Sequence, residues 1–392
     1  MQSGRLVVGQ SGGPTSVING SLVGVIEEAK AQAGVTGVLG SLRGISGVLQ
    51  EQFVDLARES QETLDVLRRT PGSALGTVRY KLQHEDYARI VDVFRAYEVR
   101  FFVYIGGNDS MDTAHKVHLA AQEQGYEMCS IGVPKTVDND LAHTDHCPGY
   151  GSAARFVALA VRDSGWDTEA MGPSSPVKIV EVMGRNAGWL TAAAALGRRA
   201  PGDPPHLIYV PERPVKDEAL VRDVARVVEE REHCVIALSE GAVLDTGTGE
   251  VDAFGHQMKG GAADYVASLL TAKLGLKVRM DKPNYLQRSF STCLSEVDAD
   301  EAYRAGRAGV RLAASGESGL MVTLEREPGE GYACTTGTAP LEEVANAEKM
   351  LPDAYIAEAG NDVTEAFFEY ARPLIGAPLP AVGRLARYPV GK

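Results

Sequence analysis

Phe101-Phe102-Val103-Tyr104-Ile105-Gly106-Gly107-Asn108-Asp109-Ser110 passes from an aromatic and β-branched run into two glycines and then three oxygen-bearing side chains. A run that short and that apolar reads as a strand buried on both faces, and the polar trio as the entry to an amphipathic helix over 112–124. The same transition recurs elsewhere. Leu6-Val7-Val8-Gly9 precedes an amphipathic stretch over 17–30, and Ile179-Val180-Glu181-Val182-Met183-Gly184 and Val235-Ile236-Ala237-Leu238 are further strands, with helical stretches over 152–163 and 262–274. Strands alternating with helices predict an α/β protein with mainly parallel sheets, whose ligands sit at the carboxyl ends of the strands. The conspicuous glycines fall at those ends. Segments 201–205 and 325–331, rich in proline, glycine and charge, are expected to be surface loops.

The chain has 392 residues, 44% of them apolar. Single cores stop growing at roughly 250–300 residues, so two domains with a cleft between them are expected. The formal net charge is −13 and no basic run occurs, which argues against nucleic acid or an anionic membrane as partner. Five scattered cysteines without a Cys-x-x-Cys pair fit reduced thiols. With no basic-then-apolar leader and no apolar window near 18 residues, a cytoplasmic protein that does not span the membrane is expected.

Three glycine-and-oxygen clusters carry the chemistry. Gly9-Gln-Ser-Gly-Gly-Pro-Thr-Ser16 opens a helix; its backbone N–H groups could meet an anion, although a plain strand-to-helix turn would read the same way. In Gly106-Gly-Asn-Asp-Ser110, Asp109 or Ser110 could simply cap the helix, but the set also suits a phosphate with its hard Mg²⁺ ion. Val133-Pro-Lys-Thr-Val-Asp-Asn-Asp140 is the most specific. If extended, it projects Thr136, Asp138 and Asp140 to one side, where one carboxylate can take a proton from a hydroxyl. An Asx-rich turn would explain Asp-Asn-Asp and leave Lys135-Thr136 unexplained. Met183-Gly184-Arg185, Ser239-Glu240-Gly241, Arg279 and Tyr285-Leu286-Gln287-Arg288 add guanidinium groups for a sugar phosphate and a carboxylate for sugar hydroxyls, though singly each could be a surface ion pair. His143-Thr-Asp-His-Cys147 lacks the spacing of a closed zinc site and is expected to be a polar loop.

Gly12-Gly13, Leu75-Gly-Thr-Val-Arg79, Gly106-Gly-Asn-Asp-Ser110, Pro134-Lys-Thr-Val-Asp-Asn-Asp140, Met183-Gly-Arg185 and Tyr285-Leu-Gln-Arg288 stand in the order found in 6-phosphofructokinases. The chain resembles that family over roughly residues 5 to 325. The resemblance implies two Rossmann-like three-layer domains flanking an active-site cleft, a small-molecule phosphoryl donor, fructose 6-phosphate as acceptor, Mg²⁺, and a homodimer or homotetramer. It divides the chain into a donor domain, 1–149 with about 289–350, and an acceptor domain, 150–288 with about 351–392. It makes Asp138 the base, with Thr136, Val137 and Asp140 beside it, and Arg185 and Arg79 the cations on the transferring group. Gly12, Gly107, Asn108 and Ser110 match donor-binding positions. Met183, Gly184, Glu240, Tyr285, Leu286, Gln287 and Arg288 match acceptor positions, and Arg279 the arginine lent by a neighbouring subunit.

Two positions bear on the donor. ATP-using relatives carry glycine at 109 and 135; the pyrophosphate-using branch carries Asp and Lys, as here. A carboxylate at 109 would repel a nucleotide's inner phosphate, while the Lys135 ammonium can hold a compact diphosphate. Lys135 could also serve a purely structural pairing with Asp138 or Asp140. Asn108 stands at a magnesium-binding aspartate position, and its neutral carbonyl is the one metal contact suggested there. Pro176 replaces an inter-subunit arginine, with Lys178 a partial substitute; Val23 and Glu27 stand where effector-binding arginines would be. The expected reaction is reversible transfer from pyrophosphate to fructose 6-phosphate. The alternatives are ATP as donor, sedoheptulose 7-phosphate as acceptor, or a non-catalytic sugar-phosphate-binding subunit. The stretch beyond 330 is expected to be a peripheral extension.

Overall fold

A computed structural model describes residues 3–242, 261–345, 347–386 and 388–391. Among the described residues eleven strands follow one another: β1 (Gly4–Gln10), β2 (Val35–Ser41), β3 (Phe53–Asp55), β4 (Val99–Gly106), β5 (Cys129–Pro134), β6 (Val177–Val182), β7 (Leu207–Tyr209), β8 (Cys234–Ser239), β9 (Val278–Asp281), β10 (Leu320–Arg326) and β11 (Cys334–Pro340). They form a seven-stranded sheet in the order β11-β10-β5-β4-β1-β2-β3 and a four-stranded sheet in the order β7-β8-β6-β9. Pairing is parallel throughout the small sheet and through the middle of the large one, with antiparallel partners only at its two edges. The α/β expectation therefore holds.

Both faces of each sheet are covered. Leu6, Val8, Phe101 and Val103 face one core and Val7, Phe102 and Tyr104 the other, the alternation a strand dictates. Gln10 lies opposite Ile105, and Gly106 opposite Pro134, so the loops leaving β1, β4 and β5 open along one edge. In the small sheet Val182 pairs with Ser239, which sets the Met183 and Glu240 loops side by side.

Three expectations are corrected. The strand begun at Ile179 ends at Val182, leaving Met183 and Gly184 in the loop. Glu325 and Arg326 belong to β10 rather than to a surface loop. The 143–147 segment is the polar loop expected, and Thr144, His146 and Cys147 within it are buried. Finally, the chain beyond 330 is integral. β11 completes the large sheet, and Leu351, Ile356, Phe367, Leu374 and Ile375 lie in the core around Val180 and Trp189 of the small-sheet unit. Among the described residues no helix is long and apolar enough to cross a membrane.

Candidate active site

At the end of β1 the chain turns sharply, with Gly12 at φ +73°, a conformation that side chains rarely adopt. Thr77 Oγ1 donates to Gly12 O at 2.7 Å and Lys135 Nζ to Gly13 O at 2.7 Å. A Cβ on Gly13 would stand 2.1 Å from Arg288 Nη1, so only glycine admits that guanidinium. Beneath the turn Gln10 reaches Asn19 Oδ1 at 3.0 Å and accepts from Leu75 N at 3.0 Å. These two buried amides hold the irregular 74–79 segment, and with it exposed Arg79, against the Gly12 loop. Sequence reasoning missed both Gln10 and Asn19, although an amide ending a buried strand is a signal in itself.

Gly107 caps the helix Asn108–Glu123 and places Asp109, exposed, in its first turn. Ser110 is buried beneath Gly106. The carboxamide nitrogen of Asn108 donates to Ala347 O, a partner far along the chain.

The 135–140 segment is not extended as expected. Asn139 sits at φ +58°, fixed by Nδ2 donating to Tyr370 Oη at 2.8 Å and Oδ1 accepting from Cys147 N at 2.9 Å. Thr136 Oγ1 accepts from Asp138 N at 3.1 Å, and its side chain also bonds to Asp140. Thr136, Asp138 and Asp140 thus converge through a hydroxyl-locked turn rather than through strand alternation. Val137 is buried in the core of the small-sheet unit, so it offers the site its main chain and not its side chain.

Across the cleft Gly184, at φ +120°, accepts from Ser239 Oγ at 2.6 Å, and Arg185 Nε lies 3.7 Å from Glu240 Oε1. A Cβ on Gly241 would be 1.9 Å from Arg185 O, so the two loops press together. Gln287 turns inward and accepts from Met183 N at 3.1 Å, which makes it a support for that loop. Tyr285 and Leu286 are exposed, and the Arg288 guanidinium lies 4.2 Å over the Tyr285 ring. Arg279 is exposed on the edge strand β9, its Nε donating to Ser175 Oγ at 2.7 Å. Lys178 pairs with Asp281 at 2.8 Å, which leaves it unsuited to replace the missing arginine at 176. Glu27 bonds Gln61 and Tyr303.

Burial, then the Asp140 and Glu240 carboxylates, pushes Asp138 up to about 7; Lys135 and Arg185 oppose that rise. Lys135 is pushed down to about 8 by burial and by Arg288, against the pull of Asp138 and Asp140. Burial raises Glu240 as well. A carboxylate so poised accepts a proton near neutrality, and two cations stand ready to offset developing charge. Asp138 Oδ1 is buried without a hydrogen-bond partner, an oxygen suited to a hydroxyl or a hard cation. His146, Glu301 and Cys334 also cluster within 4.8 Å. There His146 already bonds Asp145 at 2.8 Å and Glu301 at 2.7 Å, so the group is a satisfied ionic cluster.

Residues 5–312 match the family described as Phosphofructokinase. The chain is 42% identical to a pyrophosphate–fructose 6-phosphate 1-phosphotransferase of Xanthomonas campestris pv. campestris (strain B100), covering 97% of this chain and 93% of that one. It is 35% identical to a sulfofructose kinase of Alkalicoccus urumqiensis over 95% of this chain and 96% of that one. The crystal structure of a pyrophosphate-dependent phosphofructokinase from Marinobacter aquaeolei superposes with a TM-score of 0.87 at 38% identity, covering 99% and 98% of the two chains. Two sheets, parallel but for the edge pairings of the larger one and with glycine-rich loops at their strand ends, are thus the frame of an enzyme lineage, and this chain belongs to the phosphofructokinase family.

Proposed function

We propose that the chain transfers a phosphoryl group reversibly from inorganic pyrophosphate to the 1-hydroxyl of fructose 6-phosphate, giving fructose 1,6-bisphosphate and orthophosphate. One observation carries the donor assignment: the Lys135 ammonium lies on the floor of the Gly12–Gly13 turn, 2.7 Å from Gly13 O. There it fills the depth a nucleotide's inner phosphate would need, while Asp109 faces the entrance with like charge.

Asp138 removes the hydroxyl proton, with Thr136 fixing its main chain and Asp140 holding its affinity for the proton high. Lys135, Arg185 and Arg79 stabilise the equatorial charge of the transferring group. Gly12, Gly107, Asn108 and Ser110 shape the donor pocket. Met183, Gly184, Glu240, Gln287 and Arg288 form the acceptor pocket, which Tyr285, Leu286 and a partner subunit's copy of Arg279 complete. The donor domain is 1–149 with about 289–350 and the acceptor domain 150–288 with about 351–392. The Asn108 carbonyl, with Asp140 through metal-bound water, would hold Mg²⁺, whose charge, when bound, neutralises pyrophosphate oxygens. The exposed side chains of Met280, next to Arg279, and of Tyr285, Leu286 and Phe290 support a homodimer or homotetramer; the cytoplasm is the compartment proposed.

Turnover of fructose 6-phosphate with Mg²⁺ and pyrophosphate, but not with ATP, is the expected result; turnover with ATP alone overturns the donor assignment. A second acceptor reading rests on the sulfofructose kinase relative. Running the assay with fructose 6-phosphate, sulfofructose and sedoheptulose 7-phosphate ranks the acceptors by kcat/KM, with fructose 6-phosphate expected first.

A further inference from the structure

Residues 347–351 touch the helix start at Asn108, the 140–145 turn and the loop that follows Arg185. The Ala347 carbonyl accepts from Asn108 of the donor-side helix. Glu348 Oε1 accepts from Asn186 Nδ2 at 2.8 Å, one residue beyond Arg185. Lys349 N donates to Asp140 O at 2.7 Å, and Lys349 Nζ donates to Thr144 O at 2.9 Å and to Asp145 O at 2.8 Å. Lys349 O in turn accepts from Trp189 Nε1 at 2.9 Å, and its ammonium lies 5.1 Å over the Trp189 ring. Leu351 N donates to Glu212 Oε1 at 2.8 Å, the same oxygen that takes Gly188 N at 2.9 Å.

We infer that 347–351 is a strap that sets the three site loops relative to one another, and that Lys349 is its positioning residue for the phosphoryl transfer. Asp138 and Asp140 sit in a turn whose left-handed Asn139 is held from behind by Tyr370 and Cys147, while the far side of the same turn is held at Asp140 O, Thr144 O and Asp145 O by one lysine. That lysine also fixes Trp189, which belongs to the opposite sheet's unit. A base and a cation on opposite walls act together only if their separation is fixed to within an ångström, and misplacement of that size costs roughly 100-fold in rate. The inference rests on the proposed transfer reaction.

The test compares wild type, Lys349→Met and Lys349→Arg, using kinetics and amide hydrogen exchange. Lys349→Met is expected to lower kcat roughly 10- to 100-fold with the KM of both substrates within about threefold. Lys349→Arg, which keeps the charge and the donors, is expected to recover most of the loss. Exchange of amides in 136–149 is expected to quicken roughly tenfold in Lys349→Met, while the helices Ile18–Ala31 and Glu296–Ser315 stay protected. Unchanged exchange in 136–149, an unchanged kcat, or a loss carried wholly by KM each overturns the strap. If wild type does not use pyrophosphate the donor proposal falls, and the exchange comparison still decides the strap. Should Lys349→Met not fold, Glu348→Ala removes the acceptor of the exposed Asn186 tie alone. A kcat lowered severalfold at unchanged KM is then expected, and wild-type kcat with wild-type exchange overturns the inference.

Discussion

Asp138 and Lys135 are each most useful in the form that burial disfavours. The base must be ionised, yet desolvation and the Asp140 and Glu240 carboxylates lift it to about 7; the cation must be protonated, yet desolvation and Arg288 lower it to about 8. Activity is therefore expected to be bell-shaped, with kcat/KM falling as pH drops through the Asp138 limb and as it rises through the Lys135 limb. Asp140→Asn removes a carboxylate that raises Asp138, so the acid limb should move to lower pH; a limb that stays put counts against the assignment. Asp138→Asn is expected to lower kcat by roughly 10³-fold at nearly constant KM, because the proton acceptor serves the transition state and not binding. The side chain at 109 decides a different matter. Asp109→Gly removes the like charge at the helix start, and measurable ATP-dependent turnover is the expected gain.

Two long helices, Ile18–Ala31 and Glu296–Ser315, bring the early and late parts of the large-sheet unit together, and glycines govern how near they come. A Cβ on Gly306 would stand 2.1 Å from Ser21 O, and one on Gly24 would stand 2.2 Å from Tyr303 O. Both obstacles are backbone and cannot swing aside. Gly306→Ala should therefore cost about 1–3 kcal/mol and lower Tm by several degrees in a thermal scan, with the KM of the folded fraction unchanged. The elements legible in the sequence were those whose signal is local. β1, β4, β6 and β8 announce themselves as apolar runs, and Gly12, Gly106 and Gly184 mark the turns after β1, β4 and β6. β11, whose Cys-Thr-Thr-Gly-Thr-Ala-Pro reads as polar, exists because β10 supplies an edge to pair with. β7 and β9 are three and four residues long, below the length at which alternation can be read. The convergence of Thr136, Asp138 and Asp140 was legible, but its cause was not: Asn139's left-handed backbone depends on Tyr370, more than 200 positions away in the chain. Ala347, through its carbonyl, and Lys349, through its amide, carbonyl and ammonium, bond residues far along the chain, so no local motif could have marked them.

The acidic chain, of net charge −13, gathers Lys135, Arg185 and Arg288 around Asp138, beside the Asp140 and Glu240 carboxylates. That arrangement demands a rigid small-sheet unit, and the rigidity is supplied from the end of the chain. Leu351, Phe367, Leu374 and Ile375 are nearly inaccessible, and Tyr370 bonds Asn139 of the site turn. Each such side chain contributes about 1.5–3 kcal/mol by burial, so together they match much of the roughly 5–15 kcal/mol by which a domain is stable. A chain truncated before Leu351 should accordingly be recovered insoluble or without a cooperative thermal transition, and with no turnover. Removing only the exposed end from Tyr388 onward, where Tyr388 is 88% and Val390 95% accessible, should leave Tm and kcat as they are. A soluble, cooperatively melting chain lacking 351–392 would mean that the small-sheet core closes without its C-terminal layer, and the site turn would then need another source of order.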